Sequence, residues 1–112
     1  MDVERIQRKL RDFARQRDWD RYHSPKNLAM ALGVEVAELM ELFQWVDPEE
    51  SRNVVTRPAD LAAVTDEVAD VAIYVIRLAD VLGVDLEIAI EEKIAKNAKK
   101  YPEDRPHRWS MS

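Results

Sequence analysis

The sequence predicts an all-α fold, a four-to-five-helix bundle assembled as a dimer or a dimer of dimers. Three observations predict it. Gly and Pro are scarce, 2 and 5 in 112 residues, and the Pro positions fall outside the helix interiors or open a helix. Apolar residues recur at intervals of three and four over four long segments. Start signals such as Ser24-Pro25 and Asp85 precede those segments.

Helix one is predicted from about Asp2 to Arg17, with Val3, Ile6, Leu10 and Phe13 at helical spacing. A polar connection follows, residues 17–23, studded with Trp19 and Tyr22. Those rings either cap the core or present a flat face to a planar ligand. Helix two opens at Ser24-Pro25, a good N-cap with Pro at the first helical position, and runs to Trp45, where Asp47-Pro48 ends it. Residues 47–58 read as a mobile polar loop with room for a short helical turn. Helix three runs from Pro58 to Leu82 along the row Leu61, Val64, Val68, Val71, Val75, Leu78 and Leu82, with Gly83 as its C-cap. Asp85 caps helix four, which reaches Lys100 with Leu86, Ile90 and Ile94 inward. One domain covers residues 1–102, and 103–112 reads as a tail that orders only against a neighbour.

Composition narrows the function. The net charge of −5 disfavours a nucleic-acid polymer as partner. There is no Cys, hence no disulfide framework or thiol chemistry. No run is apolar enough for a membrane span and no signal core opens the chain, so the cytoplasm is the expected location. Helices two and three carry apolar residues on more than one face, which a chain this short cannot cover alone. That predicts two-fold pairing through an identical patch.

The chemistry centres on two carboxylate pairs, Glu35-Val-Ala-Glu38 and Glu67-Val-Ala-Asp70. Residues three apart share a helix face, so each pair points two acids the same way from an apolar segment. A single pair of this kind is commonly just a solvated helix face. Here both pairs share one pattern, and the second interrupts the most apolar helix. Four converging acids repel unless a cation sits between them, and all-oxygen donors suit Mg²⁺, with Mn²⁺ or Ca²⁺ as alternatives. A di-iron bundle would require Glu-x-x-His motifs, and neither His23 nor His107 supplies one. Mg²⁺ usually shares its shell with substrate phosphates. The row Lys93, Lys96, Asn97, Lys100 with Tyr101 would then hold the remaining phosphate charge.

Glu35-x-x-Glu38, 28 intervening residues and Glu67-x-x-Asp70 resemble the signature of the MazG-type all-α nucleoside triphosphate pyrophosphohydrolases. Arg17-Asp-Trp19, Ser24-Pro-Lys-Asn-Leu28, Glu38-Leu-x-Glu-Leu-Phe-Gln-Trp45 and Lys93-x-x-x-Asn97-x-x-Lys-Tyr-Pro102 resemble its small dCTP pyrophosphatase branch. The resemblance implies a helical bundle assembled as dimers or tetramers. It implies Mg²⁺-dependent cleavage of the α–β anhydride of a (d)NTP, of dCTP-like or modified pyrimidine type, to NMP and pyrophosphate in nucleotide house-cleaning. It implies Glu35, Glu38, Glu67 and Asp70 as metal ligands, Trp19, Trp45 and Tyr74 near the nucleotide, and Lys93, Asn97 and Tyr101 on its phosphate and sugar side. Glu38, by preference, or Glu35 would take the proton of the attacking water. One departure bears on the base: Leu10 stands where animal members of the branch carry a base-contacting His. The competing reading is a non-catalytic helical oligomerisation module with a structural divalent cation.

Overall fold

The structure, a computed structural model, describes residues 1–103. It contains five α-helices: α1 (Val3–Gln16), α2 (Pro25–Phe43), α3 (Pro48–Arg52), α4 (Pro58–Val81) and α5 (Leu86–Lys100). Short 3₁₀ turns at Asp20–Tyr22 and Asn53–Thr56 join them, and there is no strand among the described residues. Tail residues 104–112, with His107 and Trp109, lie outside the described residues.

Side chains at the helix starts explain the boundaries. Asp2, Ser24, Asp47 and Asp85 each accept a hydrogen bond from the backbone N–H three residues on, at 3.0, 3.1, 2.8 and 3.1 Å. Pro25, Pro48 and Pro58 each stand in a first turn, where no N–H is missed. The stretch read as a loop at 47–58 is therefore mostly helical. Asp47 caps α3, Glu49 and Glu50 favour its N-terminal dipole, and the 3₁₀ turn leads into α4. α2 stops at Phe43, two residues short of the expected Trp45.

Two helices end in the same motif. At the end of α4, Gly83 takes φ +69° and its N–H bonds Asp80 C=O while Val84 N–H bonds Ala79 C=O, a Schellman arrangement. At the end of α1 the left-handed residue is Asp18, φ 56°, with Asp18 N–H to Arg15 C=O and Trp19 N–H to Ala14 C=O. Asp tolerates this conformation better than most side chains. The reversal folds Trp19 back onto α1, its ring edge-on to Phe13 at 5.5 Å between centroids.

α2 and α4 pack along each other, and α1 crosses α4. The buried core is small: Ala14, Leu28, Ile76 and Ala79, with Arg77 among them. α5 has only sparse contact with the rest of the chain. Leu86 is half-buried as expected, but Ile90 and Ile94 are exposed, 50% and 62%, because no helix of the same chain faces them. Met30, Val34 and Met40 on α2 are exposed as well. The radius of gyration is 16.9 Å, against about 13 Å for a compact chain of this length. Helices that should bury two faces bury one.

Candidate metal and nucleotide site

The facing surfaces of α2 and α4 bring the two acid pairs together. One carboxylate oxygen from each of Glu35, Glu38 and Glu67 lies within 4.8 Å of the others. Glu35 and Glu67 are half-buried and Glu38 is exposed. Oε2 of Glu35 and Oε2 of Glu67 are buried and have no hydrogen-bond partner among the described residues. Buried polar atoms are seldom left so, and each costs free energy until a donor or cation arrives.

The electrostatics agree. Desolvation, then the neighbouring carboxylates Glu38, Glu67 and Asp70, push the Glu35 carboxyl up to about 7. Glu67 is also raised, first by desolvation. Asp70 stands outside the tight triple but adds its charge to Glu35 and Glu67. The donor set is all oxygen, with two orphaned atoms aimed inward. These residues fit a hard divalent cation.

Beside the acids lies a cavity of about 370 Å³. Glu35 and Asp70 line it together with Leu10, Phe13, Trp19, Ile73 and Tyr74. Trp19 and Tyr74 are thus brought to the carboxylates, and Leu10 lies on the same wall. Trp19 packs edge-on against Phe13, is 43% exposed and lines the cavity. Trp45, just past the end of α2, is 88% exposed and does not line the cavity. Lys93, Asn97 and Tyr101 on and after α5 do not line it either.

The cavity also holds two residues that sequence reasoning missed, His23 and Arg77. Arg77 is buried in α4, donates Nε–H to His23 Nδ1 at 3.1 Å and an Nη2 hydrogen to Asp20 Oδ1 at 2.9 Å, and sits 3.7 Å from Asp80. Asp80 is gripped in turn by Arg11 through two bonds of 2.6 Å. These bonds hold the 3₁₀ turn and His23 onto α4, and Asn27 Nδ2 fastens the same segment by donating to Tyr22 C=O at 2.9 Å. The signal was present in the sequence: Arg77 is a lone cation inside Val75-Ile76-Arg77-Leu78-Ala79.

An all-α bundle with clustered acids beside an aromatic-lined cavity has the donor set for a divalent cation and space for a ligand next to it. The comparisons place it more closely. The MazG-like family model matches residues 30–111, and the chain belongs to that family. It is 42% identical over 100 residues to dCTP pyrophosphatase 1 of Rattus norvegicus and of Homo sapiens, covering 89% of this chain. The chain spans 59% of the length of those relatives. A crystallised pyrophosphatase from Archaeoglobus fulgidus is 40% identical, with a TM-score of 0.80 over 92% of this chain and 94% of that one.

Proposed function

We propose that this chain is a Mg²⁺-dependent nucleoside triphosphate pyrophosphohydrolase, cleaving the α–β anhydride of a (d)NTP to NMP and pyrophosphate. The observation that carries it is the carboxylate cluster of Glu35, Glu38 and Glu67 with Asp70 beside them, in which Glu35 and Glu67 each keep a buried oxygen without a partner and Glu35 and Asp70 line an aromatic-walled cavity. The names of the relatives, dCTP pyrophosphatase 1 and pyrophosphatase, support the same reaction class.

Glu35, Glu38, Glu67 and Asp70 would hold the metal, which when bound neutralises phosphate charge and aligns the attacking water. Glu38, the exposed member, is the preferred acceptor for the proton leaving that water, with Glu35 the second choice. Trp19 and Tyr74 take the base between ring and apolar wall, and the apolar residues around them keep water from the bound nucleotide. Leu10 offers a methyl-bearing contact where a His would offer a polar one. The resemblance gives a pyrimidine of dCTP-like or modified type, and Leu10 in place of the His removes the contact that would favour cytosine itself. A cytoplasmic setting goes with such a substrate. Trp45, Lys93, Asn97 and Tyr101 keep the substrate-side roles that the resemblance implies. Weaker inhibition by tripolyphosphate in Lys93→Ala supports the basic row, and unchanged inhibition removes it.

The assembly is a dimer or a tetramer. Val36, Leu39, Met40 and Phe43 of α2 form an open apolar trough of about 620 Å³, and Ile88, Ile90 and Ile94 of α5 are uncovered. So much exposed apolar surface asks for a second copy. Light scattering that gives an active species at the 13.0 kDa monomer mass would overturn this.

The direct experiment incubates the protein with a panel of dNTPs and Mg²⁺ and assays pyrophosphate. Release of pyrophosphate with the matching NMP is expected for at least one pyrimidine dNTP. Divalent-cation binding without turnover of any nucleotide would favour the structural-cation module instead.

A further inference from the structure

α2 carries two seams along its length. Leu28, Leu32, Glu35, Leu39 and Phe43 are buried or half-buried where α2 packs on α4. The second seam is Lys26, Met30, Gly33, Ala37, Met40 and Gln44, and every member is exposed. It lies roughly 140° round the helix from the first. Its steps alternate strictly between four and three residues, the 3.5-residue repeat of a helix that pairs with another helix. Within the described residues no element covers it: Met30 is 66% and Met40 65% exposed.

Gly33 is the member whose presence needs a reason. Gly inside a helix is less stable than Ala. Gly33 has no positive φ, and a Cβ there would meet nothing within 4 Å. Neither backbone conformation nor packing within the chain asks for Gly at this place. A second backbone passing close over it does.

The polar ends of the seam orient that second helix. Lys26 closes one end, Glu41 and Gln44 the other, and neither Lys26 nor Glu41 makes an ion pair among the described residues. A parallel copy of α2 would set Lys26 against Lys26 and Glu41 against Glu41. An antiparallel copy sets Lys26 beside Glu41 and Gln44 at both ends. With seam residue on seam residue, Met30 then lies over Met40 of the second copy, and Gly33 over its Ala37. The small residues meet in the middle, where the axes cross most closely. The Met residues cover the flanks, where Ala37, Met40 and Gln44 border the apolar trough of α2.

We propose that the exposed seam of α2, Lys26 to Gln44, docks antiparallel on the same seam of a second copy, with the two-fold axis between Gly33 and Ala37. This rests on the assembly of copies given above and is independent of the reaction. It adds which exposed apolar face pairs with itself, and in which direction. α2 is then held between α4 on its acid side and its own copy on the other.

The chain has no Cys, so introduced thiols report without background. Met30→Cys and Met40→Cys, co-expressed and oxidised, should form a covalent dimer, and each alone should not, since a disulfide needs Cα atoms within about 7 Å. Crosslinking of either variant alone would overturn the antiparallel direction. Crosslinking of Met40→Cys with Ile94→Cys, and not with Met30→Cys, would give the trough to α5 of the second copy and overturn the proposal. Lys26→Glu should weaken self-association roughly tenfold by setting like charges together, and adding Glu41→Lys should restore it. Unchanged association in Lys26→Glu would also count against the antiparallel direction. Gly33→Glu places a better helix former at an open position, so the helical circular dichroism should hold. Its mass by light scattering should fall one step, from tetramer to dimer or from dimer to monomer, and an unaltered mass would overturn the interface. A monomeric wild type removes the assembly reading and this one together. An oligomeric wild type that shows none of these effects removes this one alone.

Discussion

Two stretches of α4, ten residues apart, treat charge in opposite ways. At Glu67 and Asp70 the helix faces Glu35 and Glu38, like charges with two buried oxygens left without partners. At Arg77 and Asp80 it faces Arg11, Asp20 and His23, and every charge is matched. Both stretches lie on the same mostly apolar helix. A chain able to neutralise a buried Arg with two Asp could have neutralised its acids as well. The difference separates the part of the helix where the fold supplies its own counter-charge from the part where it supplies none. The paired stretch fixes Arg77 and His23 in the cavity wall, and the unpaired stretch brings Asp70 to the same cavity as Glu35.

The contrast breaks most sharply at the acids. Glu35→Gln or Asp70→Asn should abolish activity, a loss of at least about a thousandfold if the metal is held there. Removing one charge from a repelling cluster should leave the metal-free melting temperature unchanged or higher and shrink the stabilisation by Mg²⁺. Full activity in either variant would sink the metal assignment. The paired stretch should respond in the other direction. Asp80→Ala strips a nearly buried Arg77 of one neighbour and Arg11 of its partner, so urea unfolding should show a loss of about 3 kcal/mol. A loss under about 1 kcal/mol would mean that this network is no more than a surface ion pair.

A smaller effect falls on the aromatic wall between the two stretches. Trp19→Ala should raise KM by a factor corresponding to about 1–3 kcal/mol, the range for stacking of a base on an aromatic ring. Unaltered nucleotide affinity would return Trp19 to a purely packing role against Phe13.

The smallest expected effect is a pH dependence of opposite sign in the two stretches. Glu35 holds its proton up to about 7 in the folded metal-free chain and releases it near 4.5 when unfolded. Between those values the folded state binds more protons, so stability falls as pH rises through the window. Asp80 is held below its ordinary 3.8 by Arg11, so its contribution is present above 3.8 and is lost as pH falls through the folded value. Melting curves in EDTA should therefore decline on both sides. Glu35→Gln should flatten the neutral limb and Asp80→Ala the acid limb. An unchanged neutral limb in Glu35→Gln would place its origin elsewhere.

Much of this was legible in the sequence because it is local. Three-residue spacing alone puts Glu35 with Glu38 and Glu67 with Asp70, and capping by Ser24 and Asp85 needs only neighbours in the chain. Gly83 announces its own left-handed turn. The same turn at Asp18 went unread because Asp is no obligatory signal for it, and the 47–58 stretch was read as a loop with room for only a short helical turn because polar composition masks a good cap at Asp47.

What the sequence by itself determined, then, is the four long helices and the acid face each of α2 and α4 carries, since propensity, capping and periodicity act within a few residues. Only the tertiary structure decided that the two acid faces meet and that Trp19 folds back to share a cavity with Tyr74. It alone decided that Arg77 reaches across 54 residues to His23 and Arg11 across 69 to Asp80. Such pairings depend on how helices cross, which is set by the packing of whole faces and leaves no periodic trace in the chain.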